Sequence, residues 1–358
     1  ALYKRPPSQL RRRSVTTSGA APLILRLSYR PPFDWNALLA FFTPHAIPGV
    51  EEVRDGIYRR VVRVAGHTAD HIAVIAVSHL PGRNAVQVEI ACDYVPALPV
   101  IASRLRRVFD LDADTEAIAR HLSRDRSLAP TVHRQPGLRT PGGWDAFEIA
   151  VRAILGQQIS IVAARGLAAK LVALCSQPIA LSDAALTHAF PTAPQLAAAD
   201  LSSLGMPAAR RAALQSLARA AIVQPDLFDV SNTGAANTLE ESIDRLRSVP
   251  GIGEWTAQYI ALRGLHHPDA FPASDIGILR NAEQIFGTPF SPTQLLARSE
   301  QWRPWRGYAA QHLWSASHAG VTPRRKQSRV TKPSVPPPAA QPRPLATTST
   351  IAAAGGTA

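Results

Sequence analysis

The stretch that most constrains this chain is Leu246-Arg247-Ser248-Val249-Pro250-Gly251-Ile252-Gly253-Glu254-Trp255-Thr256-Ala257. It reads as a helix, a tight turn and a second helix. Pro250 ends the first helix, because it lacks an N–H and disfavours helical geometry in Val249. Gly251 and Gly253 permit a sharp reversal and leave no Cβ between backbone and ligand. The amides from Gly251 to Trp255 open the next helix, where unpaired N–H groups and the macrodipole attract an anion. A DNA phosphate suits that seat, directly or through a monovalent cation at the backbone of Val249 and Gly251. An ordinary helix–turn–helix corner satisfies the same residues.

Downstream, Phe271-Pro272-Ala273-Ser274-Asp275 ends in one carboxylate at a loop-to-helix junction. Taken alone, Asp275 reads as a helix N-cap, a common role for Asp. A carboxylate there can also stabilise positive charge building on a sugar and orient an attacking water. Asp269 is the competing acid on the same loop. Four of the six tryptophans, Trp255, Trp302, Trp305 and Trp314, fall in this last segment. Trp255 and Tyr259 are four apart and share a helix face. Such rings fill a core or stack on a base.

Together these segments resemble the helix–hairpin–helix DNA glycosylase superfamily, and within it the bacterial AlkA type. The likeness also rests on Val151-Arg152-Ala153-Ile154-Leu155-Gly156-Gln157, Leu204-Gly205-Met206-Pro207, Ala261-Leu262-Arg263-Gly264 and Trp302-Arg303-Pro304-Trp305-Arg306-Gly307-Tyr308-Ala309. It runs from about Leu23 to about Gly320. The resemblance implies an enzyme that excises alkylated, 3-methyladenine-like bases from double-stranded DNA by base flipping and hydrolysis. On it, Asp275 is the catalytic carboxylate; Trp255, Tyr259 and Trp314 line the base pocket; and Gly251, Ile252 and Gly253 form the phosphate-binding hairpin. Asp269 matches no catalytic position of the family. Gln157 and Gln158 occupy the turn that fills the gap left by the extruded nucleotide. The bacterial relative has Leu where this chain has Gln158, so which residue is the wedge stays open, as does a plain polar pair at a helix end. For Trp302 and Trp305 the core is favoured. Arg280 and Arg306 are candidates for phosphate contact or ordinary surface residues.

Trp255 bears on the reaction type. Related bifunctional glycosylases have Lys immediately before this Thr-Ala, and its amine forms a Schiff base with the sugar. Trp cannot, and no Cys follows Cys175 to build the iron–sulfur cluster of that branch. The expectation is a monofunctional hydrolase without lyase activity, needing no cofactor and no side-chain metal site. The rivals are a non-catalytic DNA-binding module of a transcription regulator and an oxidised-base glycosylase with lyase activity.

Periodicity divides the chain. Leu23–Tyr29, Ile57–Val64, Ile72–Ser78 and Ala85–Ile90 alternate as strands, with helices at Asp34–Phe42 and Tyr94–Phe109. An α+β domain with an antiparallel sheet is expected over residues 22–111. An all-α region should follow over residues 112–320, with helices at Asp145–Leu155, Ile159–Leu174, Ala208–Ala221 and Glu240–Val249. Residues 321–358, rich in Pro, Ala, Ser and Thr, should be a disordered basic tail. Residues 1–21 resemble the last turn of an AraC-type helix-turn-helix domain plus a linker. They suggest the C-terminal part of a fusion between an Ada-type regulator and an AlkA-type glycosylase.

The net charge is +13, but residues 1–13 carry five basic and no acidic side chains, and residues 321–358 six and none. The body between holds only +2, so its charge is weak evidence for a DNA face, and the extreme isoelectric point belongs to the ends. Cys92 and Cys175 show no metal-ligand spacing. No run suits a membrane span or a signal peptide. A monomer in the bacterial cytoplasm, near the nucleoid, is the expectation.

Overall fold

Alternation of inward and outward side chains builds the first layer. In the computed structural model, which describes residues 22–66, 69–92, 94–179, 181, 185–229 and 238–316, five strands form one antiparallel sheet. They are β1 (Leu23–Ser28), β2 (Glu51–Arg54), β3 (Ile57–Val64), β4 (His71–Leu80) and β5 (Ala85–Ala91), ordered β1-β5-β4-β3-β2. Leu25, Leu27, Ile75, Val77, Val88 and Ile90 point to one face. They pack against Leu38 and Phe42 of α1 (Trp35–His45) and Ile101 and Leu105 of α2 (Leu98–Val108). The β4–β5 connection is the expected tight turn, with Asn84 left-handed at φ 46°. Residues 1–21 and 321–358, where the helix-turn-helix remnant and the tail are expected, lie outside the described residues.

The rest is helical. In order come α3 (Thr115–Leu122), α4 (Ala129–Arg134), α5 (Ala146–Leu155), α6 (Ile161–Cys175), α7 (Ala193–Ala198), α8 (Ala208–Val223), α9 (Leu239–Arg247), α10 (Glu254–Arg263), α11 (Ile276–Phe286), α12 (Pro292–Ser299) and α13 (Arg306–Ser315). Side-chain caps set many starts. Asp145 accepts from Phe147 N, and Thr238 and Glu241 form a reciprocal capping box on α9. The helix read from Ile159 begins instead at Ile161, because Ser160 accepts from Ala163 N. Residues 157–159 are left as a turn, with Gln158 left-handed at φ 59°.

Two apolar cores hold these helices. One joins α5, α8, α9 and α10 through Ile154, Leu217, Leu246 and Ile260. The other joins α11, α12 and α13 through Ile278, Leu295 and Leu313, with Phe271 and Trp302. Trp302 is 1% exposed, and its indole N–H donates to Asp125 at 3.1 Å, so it is a core residue as expected.

Strand β2 is absent from the sequence reading, because a four-residue run holding two glutamates has no strand pattern. Its Glu51 is buried in a charge cluster that bolts the sheet to α5. Arg60 of β3 lies between Glu51 and Glu148, donating to Glu148 at 2.8 Å. Arg152 pairs with both glutamates and donates to the His45 carbonyl at 2.9 Å. Tyr58 donates to Glu51 at 2.6 Å. Burial alone would raise the Glu51 carboxyl, but the Arg152 and Arg60 guanidiniums overcome it and hold the group well below its ordinary range.

Candidate active site

The hairpin forms as its residues dictate. Helix α9 stops at Arg247, Ile252 N donates to the Val249 carbonyl at 3.1 Å, and α10 starts at Glu254. Ile252 is buried beneath the turn, while Gly251 and Gly253 are exposed. The two glycines serve different ends. Gly251 is left-handed at φ 94°, and a Cβ on it would lie 2.3 Å from Ala213 Cβ of α8. Its missing side chain therefore permits the turn and the helix contact, rather than leaving room for a ligand. A Cβ on Gly253 would meet nothing within 4 Å, so the space beside it is open. The Val249 and Gly251 carbonyls each accept one protein hydrogen bond, from Ile252 N and from Gln157 Nε2.

Asp275 stands where the sequence puts it, at the N-cap of α11, with Oδ1 accepting from Ile278 N at 3.0 Å. The cap uses Oδ1, so the capping role is compatible with a catalytic one in the same side chain. Two further donors hold it. The indole N–H of Trp314 reaches Oδ1 at 2.9 Å, and that of Trp255 reaches Oδ2 at 2.9 Å. The carboxylate is only partly buried. Its loop is anchored to α10, where Gln258 accepts from Phe271 N at 2.9 Å. Asn281 of α11 donates to the Leu313 carbonyl at 2.8 Å, which ties the helix of Asp275 to the helix of Trp314.

The three aromatic residues meet around this carboxylate. Trp255 and Tyr259 stack with centroids 5.4 Å apart, and Tyr259 meets Trp314 edge to face at 6.3 Å. All three are partly exposed. Because Trp255 and Tyr259 already stack on each other, no base fits between those two rings as they stand. A base must lie on an outer ring face or part them.

Behind the rings lies a residue that sequence reasoning missed. Arg263 ends α10, eight residues after Trp255 and on the same face, and is 2% exposed. Its guanidinium sits 4.9 Å from the Trp314 ring centroid, 6.0 Å from that of Tyr259 and 4.7 Å from that of Phe41 in α1. It donates to the Pro141 carbonyl at 2.9 Å and to Gln311 Oε1 at 2.7 Å. Burial lowers its pKa, but a guanidinium stays charged. The i, i+4, i+8 spacing of Trp255, Tyr259 and Arg263 was a signal for it. Nothing in the sequence marked Phe41, which reaches the site only through the fold.

The turn of Gln157 and Gln158 adjoins the hairpin, and the two glutamines differ. Gln157 Nε2 donates to Thr256 Oγ1 at 3.1 Å and to the Gly251 carbonyl at 3.3 Å, which fixes it to the turn. Gln158 is exposed, and its backbone is in a region that costs a non-glycine residue roughly 1–3 kcal/mol. Asp269, the rival acid, is 5% exposed and paired with Arg303 and Arg306, so it has no free face for a substrate. Arg306 is therefore neither a surface residue nor free for a phosphate: it is 5% exposed and neutralised by Asp269 and Glu300. Arg280 is exposed on α11. Among the described residues no group of His, Cys, Asp and Glu is placed to hold a metal ion, and no helix is long and apolar enough to cross a membrane.

Known proteins resemble this chain in sequence and in fold. A family model for the AlkA N-terminal domain matches residues 24–145, and one for the HhH-GPD superfamily of base excision DNA repair proteins matches residues 151–307. DNA-3-methyladenine glycosylase 2 of Escherichia coli is 33% identical over 291 residues, covering 80% of this chain and 95% of that protein. A probable bifunctional transcriptional activator/DNA repair enzyme AlkA of Mycobacterium tuberculosis is 38% identical over 329 residues. That match covers 90% of this chain, which spans 64% of the relative's length. Among solved structures, 3-methyladenine DNA-glycosylase from Archaeoglobus fulgidus superposes with a TM-score of 0.70 at 21% identity, over 83% of this chain and 99% of that one. An 8-oxoguanine glycosylase/lyase of Clostridium acetobutylicum, in complex with double-stranded DNA, gives 0.63 at 18% identity, over 84% and 96%. At those identities the likeness is one of fold, and it spans enzymes with and without a lyase in their names. The E. coli match, over nearly the whole of that protein, decides the family: the chain belongs to the AlkA-type DNA-3-methyladenine glycosylases of the helix–hairpin–helix superfamily.

Proposed function

We propose that this chain is a monofunctional DNA N-glycosylase that removes alkylated, 3-methyladenine-like bases from double-stranded DNA. The observation that carries the reading is the Asp275 carboxylate, gripped by two indole N–H groups of a partly exposed aromatic cluster. A carboxylate offers about four lone-pair sites. Three are taken by donors, two on Oδ1 and one on Oδ2. The remaining site on Oδ2 is the place for a water. As the glycosidic bond lengthens, positive charge grows on the deoxyribose, and the nearby carboxylate stabilises it. The same group orients the water and takes its proton. An alkylated purine leaves from an already cationic state, so no second acid is required.

In this reading the duplex phosphate sits at the hairpin of Gly251, Ile252 and Gly253, on the amides of the exposed Gly251 and Gly253, since Ile252 N already donates to the Val249 carbonyl. A monovalent cation fits the same place, since the Val249 and Gly251 carbonyls each keep a second lone pair, and it would add charge toward the phosphate. Gln158, exposed and strained, is the wedge, and Gln157 is the post that fixes the turn to the hairpin. The extruded base is received by Tyr259, Trp314 and Trp255. Arg263 already occupies one side of the rings, so a cationic base meets the other, and Asp275 offsets the like charge. Unstacking costs a few kcal/mol and least for damaged bases, which aids selection. Trp255, where a lyase would need an amine, makes the product an abasic site with an intact strand.

Incubation of the chain with a methylated duplex, followed by alkali, tests this. Free methylated adenine and alkali-dependent breaks are expected, with no borohydride-trapped complex. Binding without alkali-labile sites would instead mark a non-catalytic DNA-binding module, and a trapped adduct would mark a lyase.

A further inference from the structure

The start of α10 differs from other helix starts in this chain. Asp145, Thr238 and Asp275 each place a side-chain oxygen on an amide in the first turn of α5, α9 and α11. Gly253, the N-cap of α10, has no side chain to give. The first N–H groups of α10 are therefore left to an outside anion. One protein carboxylate stands beside them and is engaged elsewhere. Glu254, the first residue of α10, pairs with Arg247 at the end of α9 at 3.1 Å. It also accepts from Gln258, one turn on, at 3.0 Å. The ion pair bridges the two helices of the hairpin, and its side chains are 51% and 54% exposed. So exposed a pair is weakly held, because water and salt compete for both charges. Arg247 pairs with no other carboxylate among the described residues. Its guanidinium can exchange one oxyanion for another, and a phosphodiester accepts it in bidentate fashion.

We propose that Arg247 leaves Glu254 for a phosphate of the duplex when the hairpin engages DNA, and that Glu254, by competing for that guanidinium, holds down the affinity for undamaged duplex. The inference rests on the glycosylase reading above and adds a control on its hairpin. A weaker grip shortens each stop on intact DNA, which suits an enzyme that must pass over far more sound bases than damaged ones. A purely structural role for Glu254 predicts the opposite sign. An acid at a helix start favours the helix, and its pairing with Gln258 adds to that, so its loss would only weaken the hairpin.

The test is equilibrium binding of an undamaged duplex across a range of salt concentrations by the full chain, Arg247→Ala, Glu254→Gln and the double variant. The basic ends contribute alike to every variant. Arg247→Ala should weaken binding about 5- to 20-fold and reduce the salt slope by about 0.9, the share of one phosphate contact. Glu254→Gln should tighten binding about 3- to 10-fold at low salt and less at high salt, even though its unfolding midpoint holds or falls. Without Arg247, the gain from Glu254→Gln should shrink below about twofold. Binding by Glu254→Gln that is equal or weaker, an unchanged salt slope in Arg247→Ala, or a gain that persists in full without Arg247 would each overturn the proposal. Arg247→Lys keeps the charge and should restore most of the slope. A slope that stays low in Arg247→Lys, together with a lowered unfolding midpoint, would assign the loss to folding and also overturn it. Release of methylated adenine by the unaltered chain is scored in parallel. Its absence, with both affinity shifts in place, would overturn the glycosylase reading and leave the exchange at the hairpin standing.

Discussion

Asp275 gains its geometry from neighbours that are usually thought of only as rings. Trp255 and Trp314 each give an N–H to a different carboxylate oxygen, so the rings proposed to receive the base also hold the proposed catalytic acid. Trp314→Phe keeps an aromatic face but removes one donor. A hydrogen bond to a charged group contributes about 1.5–3 kcal/mol, so kcat should fall roughly 10- to 100-fold while duplex affinity changes little. Stopped-time base release with parallel binding isotherms checks this, and an unchanged kcat would reduce Trp314 to a stacking surface. Gln158 carries backbone strain in an exposed turn. Gln158→Gly relieves it, so the unfolding midpoint should hold or rise, whereas base release should drop about tenfold because the plug is gone. A parallel fall in stability and activity would assign Gln158 to the fold alone.

At the scale of elements, the hairpin was legible because proline, glycine and apolar spacing have local causes. So were the cap role of Asp275 and the long helices, although their ends shifted by up to four residues, to Ile161 where Ser160 caps the helix and to Leu98 where Val95–Ala97 first form a tighter turn. What was not legible depends on distant partners. β2 forms because Glu51 meets Arg60 and Arg152, and Phe41 reaches Arg263 across the chain. No residue pattern near either position announces such a meeting. Arg306 was misread for the same reason, since its carboxylate partners lie in another segment and in the turn before it. The bolt between sheet and α5 has a pH signature. Glu51 has a folded pKa below its ordinary 4.5, so its contribution is complete above that value and is lost as pH falls below it. Glu51→Gln leaves buried arginine charge uncompensated and should cost about 3–5 kcal/mol at neutral pH. Its denaturation midpoint should also depend less on pH below 4.5 than that of the unaltered chain. Equal acid sensitivity of the two in urea titrations would remove Glu51 from this role.

For the whole molecule, charge and cleft divide the work. The excess of positive charge is concentrated in residues 1–13 and 321–358, and the body carries little. In the proposed glycosylase, non-specific attraction to DNA, weakening as salt rises, would come mainly from the ends, and discrimination from the cleft proposed at the rings around Asp275. The measurement that bears most directly on that cleft is single-turnover release of 3-methyladenine by Asp275→Asn against the unaltered chain, with duplex affinity recorded on the same preparations. Asparagine keeps the size of the side chain but turns an amide N–H₂ toward one of the donors that now grip the carboxylate. Release should fall by at least roughly 100-fold with affinity for the duplex within about threefold. Release near the original rate, or a loss that merely follows lost binding, would contradict a catalytic carboxylate at this position.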